Sequence, residues 1–192
     1  MKRIILINFY KEKRDEKIKK YLDFFKKISL DNFKILKINE GEEIEKPDGI
    51  ILSGSQKMVG DGELDEKYLS YIFSFEKPTL GICYGHQAIA KFFKAKVLKA
   101  KREHNGFEEI FLLKKSKIFE GFPEKFKMYE SHKEEVIETE EFLKNFQIIA
   151  KNKEGGIEAI ENKKIPIYGC QFHPEESKKE GRKYFFNFFK II

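Results

Sequence analysis

The sequence predicts an α/β protein with a mostly parallel central sheet, flanking helices and a small antiparallel sheet in its second half. Three observations lead there. Short, continuously apolar segments at residues 4–9 (IILINF), 50–52 (IIL) and 78–82 (PTLGI) have the pattern of strands buried on both faces. Segments of helical periodicity alternate with them, the order expected when parallel strands are joined by crossover helices. After residue 95 the texture changes to short strands punctuated by turns.

Taken in order, residues 4–9 form the first strand. Over residues 13–28, Ile18, Tyr21, Leu22, Phe25 and Ile28 recur at helical spacing, so this is an amphipathic crossover helix. Residues 33–38 alternate as a second strand. Pro47-Asp48-Gly49 punctuates, residues 50–52 make a third strand, and Ser53-Gly54-Ser55 turns sharply after it. A helix over residues 65–75 leads to a strand over 78–82, with Cys83 at its end and a helix running on through 88–93. Short strands then follow at 96–99, 108–113, 125–129, 134–137, 146–151 and 157–160, with turns at Glu120-Gly121-Phe122-Pro123 and Gly155-Gly156. Residues 167–172 (IYGCQF) read as a last buried strand. A C-terminal helix over 177–189 carries Tyr184, Phe185, Phe188 and Phe189 on a core-facing side. With no linker, repeat or low-complexity tract, the expectation is one domain over residues 1–192.

Composition narrows the function. The 192 residues are 41% hydrophobic and 36% charged, enough for a substantial core under a solvated surface. The net charge of +6 comes from Lys and Glu interleaved along the chain, a mixed-charge surface with no nucleic-acid motif. No apolar stretch approaches the roughly 18 residues of a membrane span, and no cleavage-site pattern follows the first strand. The cytoplasm is the expected compartment. The two cysteines, Cys83 and Cys170, show neither CxxC nor metal-ligand spacing, so no metal and no organic cofactor is expected.

Two segments carry chemistry. Gly81-Ile82-Cys83-Tyr84-Gly85 sets a thiol between glycines where a buried strand meets a helix. This is the G-x-nucleophile-x-G elbow with Cys in place of Ser. Glycine on either side removes clashes with the neighbouring strand and helix. The helix beginning at Tyr84 turns N–H groups and its positive end toward the sulfur, a setting that activates a thiol nucleophile. Gln171-Phe172-His173-Pro174-Glu175 closes the last strand. In extended chain, residues two apart share a face, so His173 and Glu175 are expected to point together as base and orienter. Pro174 marks the strand end, where sites of α/β sheets gather.

Gly81-Ile82-Cys83-Tyr84-Gly85-His86-Gln87, together with Gly169-Cys170-Gln171-Phe172-His173-Pro174-Glu175, resembles the class I (triad) glutamine amidotransferases. Ile50-Ile51-Leu52-Ser53-Gly54 and Glu130-Ser131-His132-Lys133-Glu134-Glu135-Val136 extend the resemblance in the same order. The latter segment, followed by Ile165-Pro166-Ile167-Tyr168-Gly169, is most similar to the stand-alone amidotransferase subunit of archaeal-type GMP synthase. The resemblance implies a flavodoxin-like sheet and hydrolysis of L-glutamine to glutamate and ammonia. It implies Cys83 as nucleophile, His173 as base and acid, and Glu175 as its orienter. The Tyr84 N–H and one from the Gly54-Ser55 turn would form the oxyanion hole; Gln87, Ser131 and His132 would hold the substrate. The implied partner is a separate ATP-dependent synthetase that accepts the ammonia. Two departures stand out: Ser53-Gly54-Ser55-Gln56 replaces the family's Ser-Gly-Gly-Pro, and Asn8-Phe9-Tyr10 replaces an Asp-x-Gly-x-Gln-Tyr pattern.

Two other readings stay open at this level. One is a free-standing hydrolase of γ-glutamyl amides or peptides; the other is a regulatory homologue with weakened catalysis. Elsewhere, Cys170 is expected to be a buried small hydrophobe, His86 a structural or partner-facing residue, and His104 a solvent-facing residue of a charged loop.

Overall fold

The computed structural model describes residues 1–28 and 32–192. Among these, nine strands form one sheet in the order β2-β1-β3-β4-β9-β8-β7-β5-β6. The strands β1 (Lys2–Asn8), β2 (Phe33–Asn39), β3 (Gly49–Leu52), β4 (Thr79–Ile82) and β9 (Ile167–Cys170) run parallel. Then β8 (Ile157–Asn162), β7 (Phe146–Asn152), β5 (Lys96–Leu112) and β6 (Lys125–Ile137) continue it in antiparallel fashion. The class is the expected one. The antiparallel strands, however, are not a separate layer: β8 pairs with β9, with Ala159 opposite Cys170, and extends the parallel half.

Alternation along β1 builds two cores, because successive side chains leave opposite faces of a strand. Ile4 and Leu6 pack with Ile18, Tyr21 and Phe25 of α1 (Arg14–Lys26) and with Tyr184, Phe185 and Phe188 of α5 (Lys178–Ile191). Ile5 and Ile7 pack with Leu69 and Ile72 of α2 (Glu66–Phe73) and with Ala88 and Ile89 of α3 (Tyr84–Phe92). The Phe-rich face of α5 is thus core, as its periodicity predicts. Helix α2 starts where Asp65 accepts the Tyr68 N–H at 2.9 Å, an N-cap that satisfies one of the first turn's orphan donors.

Boundaries differ from expectation where polar residues interrupt the strand pattern. The segments at 96–99 and 108–113 are one strand, β5, with a register shift between Lys99 and His104. Likewise 125–129 and 134–137 are one strand, β6; its charged residues lie along a pleat instead of in a loop. A short helix, α4 (Glu140–Asn145), was not visible in the sequence, since six residues are too few for helical periodicity to register. The last strand ends at Cys170, two residues before its predicted end.

In the parallel half the chain order reverses on either side of β1, which makes a crevice at the carboxyl ends of β1 and β3. The register places Leu52 opposite Gly81 and Ile82 opposite Cys170, so the segments after β3, β4 and β9 emerge side by side. Strand β6, last in the order, curls back to this edge: the His173 N–H donates to Tyr129 O at 2.8 Å.

Helix α5 closes the same edge from below. A Cβ on Gly181 would overlap the Pro174 carbonyl, so only glycine lets the helix rest on the turn that carries Glu175. Replacing Gly181 by Ala should therefore cost about 1–3 kcal/mol through overpacking. In urea unfolding the midpoint should fall with the slope preserved; an unchanged midpoint would mean that this contact does not hold the turn.

Candidate active site

Cys83 stands between β4 and α3 with φ 50° and ψ −104°, a strained conformation for any residue with a Cβ. Two hydrogen bonds hold it: its N–H donates to Cys170 O at 2.8 Å, and its carbonyl accepts from the Gln87 N–H at 3.0 Å. The flanking glycines allow the turn to pack. A Cβ on Gly81 would lie 2.5 Å from the Gly85 backbone, and one on Gly85 would lie 2.5 Å from Leu52 O on β3. The thiol is buried, and Sγ is 3.7 Å from Ser131 O.

His173 and Glu175 meet, but not by strand alternation. The chain leaves extended structure at Cys170, and Pro174–Glu176 is a turn of 3₁₀-helix that swings the carboxylate back onto the ring. Glu175 Oε1 is 2.7 Å from His173 Nδ1, which a carboxylate acceptor obliges to carry the proton. Among the described residues Nε2 has no hydrogen-bond partner, and Cys83 is the neighbouring group whose charge acts on the ring. Ser177 fastens the backbone: its hydroxyl donates to His173 O at 2.6 Å and accepts the Tyr129 N–H at 2.9 Å. Burial disfavours the imidazolium, yet the negative charges of Glu175 and Cys83 outweigh it and hold His173 well above its ordinary value.

The turn after β3 runs beside this array. A Cβ on Gly54 would lie 3.2 Å from His173 Cε1 and 2.8 Å from Tyr10 Oη. The Gly54 N–H donates to Tyr21 Oη at 3.0 Å, so this donor, expected at the oxyanion, is committed elsewhere. Ser55 puts its hydroxyl on Phe9 O at 2.8 Å, and among the described residues its N–H has no protein acceptor. The Tyr84 N–H, first in α3, has no partner within the helix.

Gln87 is buried at the cleft wall, its amide donating to Glu134 O at 2.9 Å and to Gln171 Oε1 at 3.1 Å. On β6, Ser131 is exposed at the cleft; His132 also lines it, with most of its side chain buried. His132 Nδ1 donates to Glu134 O at 2.8 Å, and its ring stacks on His104 at 4.4 Å. His104 is therefore buried within β5, contrary to the solvent-facing position expected of it, because the charged segment around it is strand and not loop. His86 and Cys170 are both fully buried, as expected of structural residues.

Sequence reasoning missed Glu134, whose carboxylate accepts the Val59 and Gly60 N–H groups at 2.8 Å each. It ties the loop after β3, which carries Ser55, to β6. A signal was present: Glu130, His132 and Glu134 share one strand face by period two, and a polar face inside a core calls for partners. Together these elements line a cleft of about 550 Å³, a volume suited to a small metabolite. Buried nucleophile, imidazole and carboxylate at its base equip it for acyl transfer from an amide.

The charge on His173 has a measurable consequence. Its contribution to stability is fully present below the ordinary imidazole value of 6.5 and fades as pH rises through its elevated folded value. In Glu175→Gln the upward push of the carboxylate is gone, so the midpoint of His173 in a proton NMR titration should move down. A midpoint unchanged by this substitution would show that Glu175 does not hold the imidazolium.

Comparison with known proteins agrees with this geometry. The family model described as glutamine amidotransferase class-I matches residues 13–192. The chain is 41% identical over 146 residues to the glutamine-hydrolyzing subunit of GMP synthase from Pyrococcus abyssi, covering 76% of each. It is 36% identical over 173 residues to the protein of the same name from Methanococcus aeolicus, covering 90% of this chain and 87% of that one. A crystal structure from Thermoplasma acidophilum, provisionally described as the same GMP synthase component, superposes with a TM-score of 0.83 at 31% identity, covering 100% of this chain and 94% of that one. With the fold, the elbow and the family model in agreement over nearly its whole length, this chain belongs to the class I glutamine amidotransferases.

Proposed function

We propose that this chain hydrolyses L-glutamine to glutamate and ammonia and delivers the ammonia to a separate ATP-dependent synthetase, in GMP synthesis. The observation that carries the reading is the buried array in which Glu175 orients His173 beside Cys83 in its strained elbow. In this reading the chain is one amidotransferase domain working in the cytoplasm. Among the described residues no helix is long and apolar enough to cross a membrane.

The geometry supports the following course of reaction. With the thiol proton held on His173, the sulfur attacks the side-chain amide carbon of glutamine. The carbonyl oxygen becomes an oxyanion, held by the N–H groups of Tyr84 and Ser55. Each such donor typically lowers the barrier by about 3 kcal/mol. Gly54, whose N–H is held by Tyr21, contributes the space beside His173 that a side chain would fill. His173 then protonates the amide nitrogen; the C–N bond breaks and ammonia leaves. The glutamyl thioester is opened by a water that His173 deprotonates, releasing glutamate and restoring the pair. Gln87 and Ser131 wall the substrate, and His132 acts by fixing β6.

Ammonia release from glutamine, measured with and without the ATP-binding component of a GMP synthase, tests this. Cys83→Ser should lower release by roughly three orders of magnitude or more, since the nucleophile and base act as a unit. A glutamine-like electrophile should label Cys83 alone. Release that survives Cys83→Ser would reject the nucleophile, and strong turnover indifferent to the synthetase would favour the free-standing hydrolase.

A further inference from the structure

Behind the catalytic face lies a second cluster that the amide chemistry does not use. Glu130 and His132 project from the buried face of β6, and Glu158 comes from β8. Their ligand-type atoms lie within 4.8 Å of one another. All three residues are more than nine-tenths buried, with exposures of 0%, 8% and 1%. Among the described residues, four of their polar atoms have no hydrogen-bond partner: Glu130 Oε1 and Oε2, His132 Nε2 and Glu158 Oε2. His132 Nε2 and Glu130 Oε2 are 3.2 Å apart, although their orientation does not make a hydrogen bond.

The imidazole tautomer decides what can sit among them. Nδ1 must carry its proton, because it donates to the Glu134 carbonyl, which only accepts. Nε2 of the neutral ring therefore turns a lone pair toward a carboxylate. Two carboxylates and one lone pair, shut away from water, must either take up protons or enclose a cation. Protons do this only as a chain, one between the two carboxyls and one between Glu130 and Nε2. A divalent ion satisfies one from each side chain at once, and its charge balances both carboxylates.

The surroundings are those of a ligand set held in place. Metal-binding imidazoles characteristically donate their other N–H to a carbonyl or carboxylate, and binding carboxylates are themselves hydrogen-bonded. His132 does the first, and Glu158 Oε1 accepts from Asn152 Nδ2 at 2.8 Å. One nitrogen and two carboxylate ligands suit borderline first-row ions such as Zn²⁺ or Mn²⁺ better than Mg²⁺ or Ca²⁺, which take oxygen.

We propose that Glu130, His132 and Glu158 form a structural binding site for one divalent transition-metal ion, Zn²⁺ being the natural occupant. The ion joins β6 to β8, strands that are not neighbours in the sheet. It thereby fastens the strand whose Ser131 carbonyl faces Cys83.

Metal binding should be measured directly, in the Cys83→Ser background so that the nucleophile cannot supply a ligand. Protein stripped with a chelator is titrated with Zn²⁺ by calorimetry and with Co²⁺ by visible absorption. The expected result is one equivalent bound and an unfolding temperature that climbs with added Zn²⁺. Glu130→Gln and Glu158→Gln, isosteric changes checked for folding by circular dichroism, should each weaken binding at least as much as the about 10–100-fold loss caused by outer-shell changes. No binding by the parent protein would overturn the proposal and leave a proton-sharing carboxyl pair. Binding that persists in both Gln variants would also overturn it, by placing the ion elsewhere.

Discussion

The whole site depends on one backbone constraint, the positive φ of Cys83. A residue with a Cβ combines φ 50° with ψ −104°, outside the left-handed helical well, only when its surroundings leave no alternative. Here they do not. Gly81 and Gly85 are in backbone contact with each other and with Leu52, so β3, β4 and α3 lock around the turn without a side chain between them. Close packing transmits the strain into the sheet. The sulfur is thus presented at a strand end, beside the first N–H groups of a helix, without needing the substrate to put it there.

Around that fixed point the fold assembles its other groups by tying strand ends together. His173 donates its N–H to Tyr129 of β6, and Ser177 clasps both residues. Glu134 reaches from β6 to Val59 and Gly60, and its carbonyl receives both Gln87 and His132. The outermost strand of the sheet thereby becomes a wall of the cleft. Replacing one glycine of the family pattern by Ser55 is accommodated within this frame, because the hydroxyl is absorbed by Phe9 O.

Charge follows the same logic of assembly. Buried imidazole is ordinarily neutral, yet His173 is held in its charged form by a carboxylate on one side and a thiol that becomes negative on the other. Tyr10 and Tyr21, pressed around the same carboxylate, are driven above the ordinary phenol value by burial first and by Glu175 next. Both therefore stay neutral and serve as packing and as hydrogen-bond partners, Tyr21 holding Gly54.

By itself the sequence determined the parallel half of the sheet, the elbow and the pairing of His173 with Glu175. All three are local: continuous apolar runs, two glycines around a thiol and a His-Pro-Glu step are written in a few consecutive residues. Even there the reason for the last contact was different, a 3₁₀ turn after Pro174 and not an extended strand. Tertiary structure alone decided that β5 and β6 are long strands, that β6 folds back onto the catalytic edge, and that Gly54 gives its N–H to Tyr21. It alone brought Glu130, His132 and Glu158 together. Residues 26 positions apart or more come to share a face through sheet register and twist, and neither property is encoded in spacing along the chain.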